Sequence, residues 1–180
     1  SFGQGKEKQE YRPSSASGGI RPAEVITRHD FPDDWQILLV IPEHDTPVSG
    51  AMETDIFRES CPVPVDEVRE ICHEVMMRLL PGVVEHDLDL FGAAVNRIQE
   101  IGFKRIERER QPRTIRELPS VLCEAGAACA GMSSFGPAVY AITDSGLAGL
   151  EAAVNGLLGD REATIIRTRA DNHGALIRQL

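Results

Sequence analysis

Apolar positions recur along this chain in two rhythms, and the change from one to the other marks out its elements. Trp35 to Ile41 is an almost unbroken apolar run between Asp33-Asp34 and Pro42, which predicts a buried central strand. Val65, Val68, Ile71, Cys72, Val75, Met76, Leu79 and Leu80 then recur at helical spacing, with Asp66 and Glu67 placed to favour the helix dipole. Pro81-Gly82 is expected to interrupt that helix. Asp87 is a candidate N-cap for the next one, whose stripe is Leu88, Phe91, Val95, Ile98 and Ile101, ending near Gly102. Phe103 to Glu109 fits either a short strand or a helical extension. Thr114 and Glu117 have capping-box spacing for a helix reaching Ala125, in which Pro119 should cause a kink. Gly126 to Thr143 reads as a small-residue strand, a tight loop Ser133-Ser134-Phe135-Gly136 and a return strand opened by Pro137, the pattern of a hairpin. Leu147, Leu150, Val154, Leu157 and Leu158 predict an amphipathic helix closed by Gly159, and Ala163 to Thr168 the last strand.

The order strand, helices, hairpin, helix, strand predicts an α+β fold. A ferredoxin-like split β-α-β sheet with helices on one face, carrying an inserted helical hairpin, buries all of these stripes. Residues 1 to 32 are rich in Gly, Ser, Pro and charge and read as loop or linker, with Val25-Ile26 a candidate short strand. A second irregular stretch spans Glu43 to Pro64, where Met52 to Ser60 has room for a helical turn or more.

Composition narrows the function classes. The 180 residues are 42% hydrophobic and 26% charged, with a net charge of -9. That acidity argues against a broad nucleic-acid surface, so an anionic ligand must be held by a local cluster of donors. No apolar run reaches the roughly 20 residues of a membrane helix. Cys61, Cys72, Cys123 and Cys129 form no Cys-x-x-Cys pair and have no zinc-type spacing to the histidines, so they are read as reduced, mostly buried thiols of a cytoplasmic protein. His29, His44, His73 and His86 show no convergent pattern. No dinucleotide or Walker loop and no Ser-His-Asp signature is present.

The stretch from Gly126 to Thr143 carries the strongest candidate chemistry. Small residues before the turn permit close approach, and Ser133, Ser134 and the backbone N–H groups around Gly136 could hold an anion. A plain hairpin with a polar tip is the competing reading, and Phe135 is either a cover for an aromatic ring or an apolar tip tucked into the core.

The run Gly131-Met-Ser-Ser-Phe-Gly-Pro-Ala-Val-Tyr140 resembles the C-terminal glycine-rich motif of the GHMP kinase superfamily, in the form found in the archaeal β-ribofuranosylaminobenzene 5'-phosphate synthase family. Ser1 to Gly3, Pro13 to Ser17, Arg28 to Pro32, Asp55 to Phe57, Cys61-Pro62, Asn96 to Gln99 and Asn172 to Ala175 match that family in order, covering nearly the whole chain.

The resemblance implies the GHMP C-terminal α+β domain over residues 35–180, with 1–34 a remnant or linker from an N-terminal half that is missing here. The isolated chain is then expected to be inactive. It implies a glycosyltransferase of methanopterin biosynthesis that joins phosphoribosyl pyrophosphate to 4-aminobenzoate or 4-hydroxybenzoate with decarboxylation, Mg2+ accompanying the diphosphate. It also suggests His173 and Asn96 as catalytic candidates. Ser133, Ser134, Phe135, Gly136, Ser14, Ser15, Ser17, Arg12, Arg21 and Arg28 are substrate- or phosphate-binding candidates, guanidinium being suited to bidentate oxyanion contacts. His173 reads equally as part of a turn, and surface exposure or capping is the better reading of Gln99. The alternatives are an ATP-dependent GHMP-type small-molecule kinase domain and a non-catalytic ferredoxin-like ligand-binding or homodimerisation module, open sheet edges being prone to pairing.

Overall fold

The computed structural model describes residues 24–43, 51–159 and 161–174. Strand β1 (Gln36–Pro42) runs through the sheet interior, with Leu38 and Val40 fully buried on one face and Ile37, Leu39 and Ile41 half-buried on the other. It pairs antiparallel with β3 (Val139–Thr143) on one side and β4 (Ala163–Thr168) on the other. Strand β2 (Cys129–Met132) pairs antiparallel with β3. The order β2-β3-β1-β4 is the ferredoxin-like arrangement that the sequence predicts.

Two cores flank this sheet. The larger packs Leu38, Val40, Ala130, Met132, Val139 and Ala141 against α6 (Arg113–Glu124) and α7 (Ala148–Leu158). The smaller lies on the opposite face at the β2 end, where Trp35, Cys129 and Ile142 meet Leu88, Phe91 and Val95 of α4 (Leu88–Ile98). Phe31 stacks edge-on against Trp35 and Phe91, so the packed body reaches back to Phe31. Val25 and Ile26 form no strand and are exposed.

The inserted helices depart from expectation in instructive ways. Met52 to Ser60 belongs to a full helix, α1 (Ala51–Ser60). Pro81-Gly82 does not stop the next helix: α2 (Val65–Glu74) passes through a π-helical turn at Val75–Leu79 into α3 (Leu80–Glu85). The Leu80 N–H reaches back five residues to Val75 O, and Pro81 falls in the first turn of α3, where a missing donor costs least. Gly82 is fixed by packing, because a Cβ there would sit 2.7 Å from the Phe91 nitrogen. Val65, Val68 and Met76, counted in the apolar stripe, are exposed among the described residues. Asp87 does cap α4, accepting the Leu90 N–H at 2.9 Å. Phe103 to Glu109 is helical, within α5 (Gly102–Glu109).

The Thr114–Glu117 capping box does not form. Pro112 caps α6 two residues earlier, Glu117 instead accepts from Arg113 at 2.6 Å, and Thr114 accepts from Arg161. The helix also continues through Pro119. An interior proline costs about 3 kcal/mol. Ile115, Leu118 and Leu122 are essentially fully buried, each worth about 2 kcal/mol, and their packing outweighs the defect.

Candidate functional site: the hairpin turn and the β2 edge

Strand β2 is at the sheet edge, and its outward backbone groups are satisfied by side chains of α4 and the residue just after it. Asn96 Oδ1 accepts the Ala130 N–H at 3.1 Å, while its Nδ2 donates to Ala128 O at 3.1 Å. One turn on, Gln99 Oε1 accepts the Met132 N–H at 3.0 Å. Two amides at i and i+3 thus face two N–H groups at i and i+2 of a strand, standing in for a fifth strand. Ala128 and Cys129 both oppose Ile142, a β-bulge that turns Ala128 O toward Asn96. Close approach requires small residues: a Cβ on Gly92 would lie 2.6 Å from Ala128 O, and one on Gly131 2.6 Å from Gln99 Cδ. Gln99 is therefore buried and fully engaged, not exposed. Both polar ends of the Asn96 amide are committed to backbone.

The turn between β2 and β3 has two sides. On the outside, Ser133 and Ser134 are exposed. Ser134 (φ 48°) and Gly136 (φ 76°) adopt left-handed conformations, and a Cβ at Gly136 would lie 2.8 Å from Met132 Sδ. On the inside, Phe135 is buried and meets Phe57 and Phe103 edge-on, those two rings stacking at 4.4 Å. Phe135 is thus the tucked apolar tip. Lys104 Nζ donates to Met132 O at 3.3 Å and Ser134 O at 3.1 Å, and also pairs with the buried Glu107. Gln111 Nε2, itself buried, donates to Phe135 O. Glu67 on α2 fixes the start of α5 by accepting the Gly102 N–H at 2.6 Å.

A second cluster forms at the opposite end of the sheet. Asn172 Oδ1 accepts the Phe31 N–H and its Nδ2 donates to Phe31 O, both at 2.9 Å, while Arg28 donates to Asn172 O at 2.6 Å. The segments around Arg28 and Asn172, distant in sequence, are joined here. His173 projects into solvent beside Asp171. Registers place this cluster beside the β1 start, near Thr143 and Thr168, whereas Ser133–Gly136 lies beside its end. Seven residues of strand, at about 3.3 Å each, separate the two by ~20 Å. Arg28 and His173 therefore share no pocket with the hairpin turn. Arg12, Ser14, Ser15, Ser17 and Arg21 lie outside the described residues.

Lys104, Glu107 and Gln111 escaped the sequence reading. One signal was available: apart from Lys6 and Lys8, every basic side chain other than histidine is arginine except Lys104. An ammonium can serve two carbonyls and a carboxylate tetrahedrally, which a planar guanidinium cannot.

Two shallow depressions are present. One of about 200 Å³ is lined by Gln99, Glu100, Arg105, Arg108, Glu109 and Arg116, and one of about 300 Å³ by Gln36, Leu147, Arg167, Thr168 and Arg169. Among the described residues no group of three or more His, Cys, Asp or Glu could hold a metal, and no helix is long and apolar enough to cross a membrane. Of the four cysteines expected to be mostly buried, only Cys129 is fully buried, and Cys72 is exposed. Burial pushes the Cys129 thiol and the Tyr140 hydroxyl each up to about 12. Neither is a nucleophile or base at neutral pH.

Comparison with known proteins follows the same lines. Residues 79–155 match the family described as GHMP kinases C terminal. β-Ribofuranosylphenol 5'-phosphate synthase of Methanothermobacter thermautotrophicus is 45% identical over 96% of this chain, and that of Archaeoglobus fulgidus 47% identical over 96%. The enzyme of that name from Methanocaldococcus jannaschii is 45% identical over 97%. The chain spans about half the length of these relatives, 51%, 53% and 52% respectively. Homoserine kinase from Cytophaga hutchinsonii superposes with a TM-score of 0.63 at 16% identity, covering 79% of this chain and 44% of that one. Mevalonate kinase of L. major gives 0.51 at 15%, covering 73% and 42%. These distant likenesses speak to fold alone. Fold, family match and relatives agree: the chain carries the C-terminal domain of the GHMP kinase superfamily, and nearly its whole length is similar to about half of the archaeal β-ribofuranosylphenol 5'-phosphate synthases.

Proposed function

We propose that this chain is the C-terminal half of an enzyme that joins phosphoribosyl pyrophosphate to 4-aminobenzoate or 4-hydroxybenzoate, releasing pyrophosphate and carbon dioxide. The observation that carries the reading is the identity of 45% over 96% of the chain to synthases that make a β-ribofuranosylphenol 5'-phosphate. In this reaction the bond from the anomeric carbon to the diphosphate breaks as positive charge builds on the sugar. The ring carbon bearing the carboxylate attacks that carbon. The carboxylate then leaves as carbon dioxide, and its bonding pair restores the aromatic ring.

The chain's part in this reading is to bind and orient. The exposed Ser133 and Ser134 hydroxyls and the N–H groups of their turn offer donors to a phosphate oxygen, preorganised by the packed underside. Asn96 acts indirectly, by holding the β2 strand that leads into the turn. Magnesium arrives with the diphosphate of the donor. The described residues offer it no cluster of three or more His, Cys, Asp or Glu ligands.

The test is made on the full-length protein with phosphoribosyl pyrophosphate and 4-aminobenzoate labelled at its carboxyl carbon. Labelled carbon dioxide is expected. Consumption of ATP with an alcohol substrate and no carbon dioxide would replace this reading with a kinase. Ser133→Ala together with Ser134→Ala should raise KM for phosphoribosyl pyrophosphate without changing Tm.

A further inference from the structure

The turn assigned to anion binding is held from beneath by a single ammonium. We propose that Lys104 is the positioning residue of a diphosphate subsite on this turn, and that Glu107 sets the subsite's affinity by neutralising that charge. The inference rests on the phosphate-binding reading of Ser133–Gly136.

The geometry runs from carbonyls to N–H groups. In a planar trans peptide the C=O of one residue and the N–H of the next point in opposite directions. Lys104 draws the Ser134 carbonyl inward, which turns the Phe135 N–H outward. Gln111 draws in the Phe135 carbonyl, and the Gly136 N–H closes the turn on Ser133 O at 2.9 Å. Among the described residues the N–H groups of Ser134 and Phe135 meet no protein acceptor. φ is left-handed at Ser134 and Gly136 but not at Phe135 between them, an alternation in the sign of φ of the kind on which backbone anion nests are built.

Charge completes the arrangement. The Lys104 side chain is only 20% exposed and that of Glu107 8%, so their mutual neutralisation is little screened by water. An anion on the outer side feels the ammonium through the turn and, against it, the carboxylate behind. Removing either charge therefore moves affinity in opposite directions, whereas a merely structural pair would lose binding both ways.

The test uses full-length protein labelled with 15N-phenylalanine and titrated with pyrophosphate. The Phe135 amide signal should shift on saturation. Lys104→Met should weaken binding about tenfold, and Glu107→Gln should tighten it about threefold, as a unit charge acting through a partly solvated path requires. If Lys104→Met fails to fold, Glu107→Gln alone decides the matter. Equal binding by wild type and Lys104→Met, weakened binding in Glu107→Gln, or a Phe135 signal indifferent to pyrophosphate would each overturn the proposal. Absence of labelled carbon dioxide with the pyrophosphate responses intact would sink the transferase reading and leave this subsite standing.

Discussion

The two edges of the sheet solve the same problem differently. At β2 all four residues are buried, and the outward N–H groups are taken by the amides of Asn96 and Gln99. At β4 every residue is half-buried or exposed, Ile166 is 41% exposed, and an Arg167–Glu151 ion pair links the strand to α7. The first edge cannot accept another strand without expelling α4. The second, beyond its ladder to β1, is braced by an ion pair that water and salt weaken. Side-chain amides can thus seal a sheet edge more completely than an exposed ion pair can brace one.

Four perturbations sharpen that contrast. The largest effect is expected at high pH. Burial raises Cys129 from an ordinary 9.0 and Tyr140 from 10.0, each to about 12. The native state then keeps protons that the unfolded chain gives up, so this stabilisation is complete below pH 9 and falls as pH rises toward 12. At about 1.4 kcal/mol per pH unit, Cys129 contributes on the order of 4 kcal/mol to that loss. Urea midpoints between pH 8 and 11 check it, and Tyr140→Phe should flatten the upper part of the decline. A flat profile would show that the β2 face is wet.

Next in size is Gly92→Ala, which drives a methyl into Ala128 O and should cost about 3 kcal/mol. Asn96→Ala, leaving the Ala130 N–H and Ala128 O unpaired, should cost about 2 kcal/mol. Thermal melts measure both.

The smallest effect belongs to the β4 edge. Arg167 holds the Glu151 carboxylate below its ordinary value, so the pair's contribution is present above about pH 4.5 and is lost as pH falls below it. Because the groups are exposed, Glu151→Gln should leave the melt at pH 7 nearly unchanged. A large drop would mean that the two edges are equally dependent on their partners.

Much of this architecture was legible from periodicity. The apolar run at 35–41, the stripes of α4 and α7, and the hairpin are each dictated by residues local to them. What stayed hidden depends on tertiary packing. The helix through Pro119 is held by the burial of Leu118 and Leu122, which its own sequence does not show. Gln99 reads as a surface residue because nothing local shows that an edge strand needs its oxygen. Pro81-Gly82 reads as a stop because a π turn has no local signature and the glycine answers to Phe91. At the candidate site, the serines and glycine were visible in the turn. The supporting Lys104 and Gln111 stand about thirty and twenty-five residues earlier, linked to it only by the fold. The ~20 Å between the hairpin and His173 follows from strand register.

Because Ala130 and Met132 donate to α4 and the residue after it instead of to a strand, their amide protons report on something other than the sheet. In deuterated solvent they should exchange whenever the helix lifts, while neighbours bonded to β3 stay protected. Those two positions form a clock for the seating of α4, readable before any substrate is known.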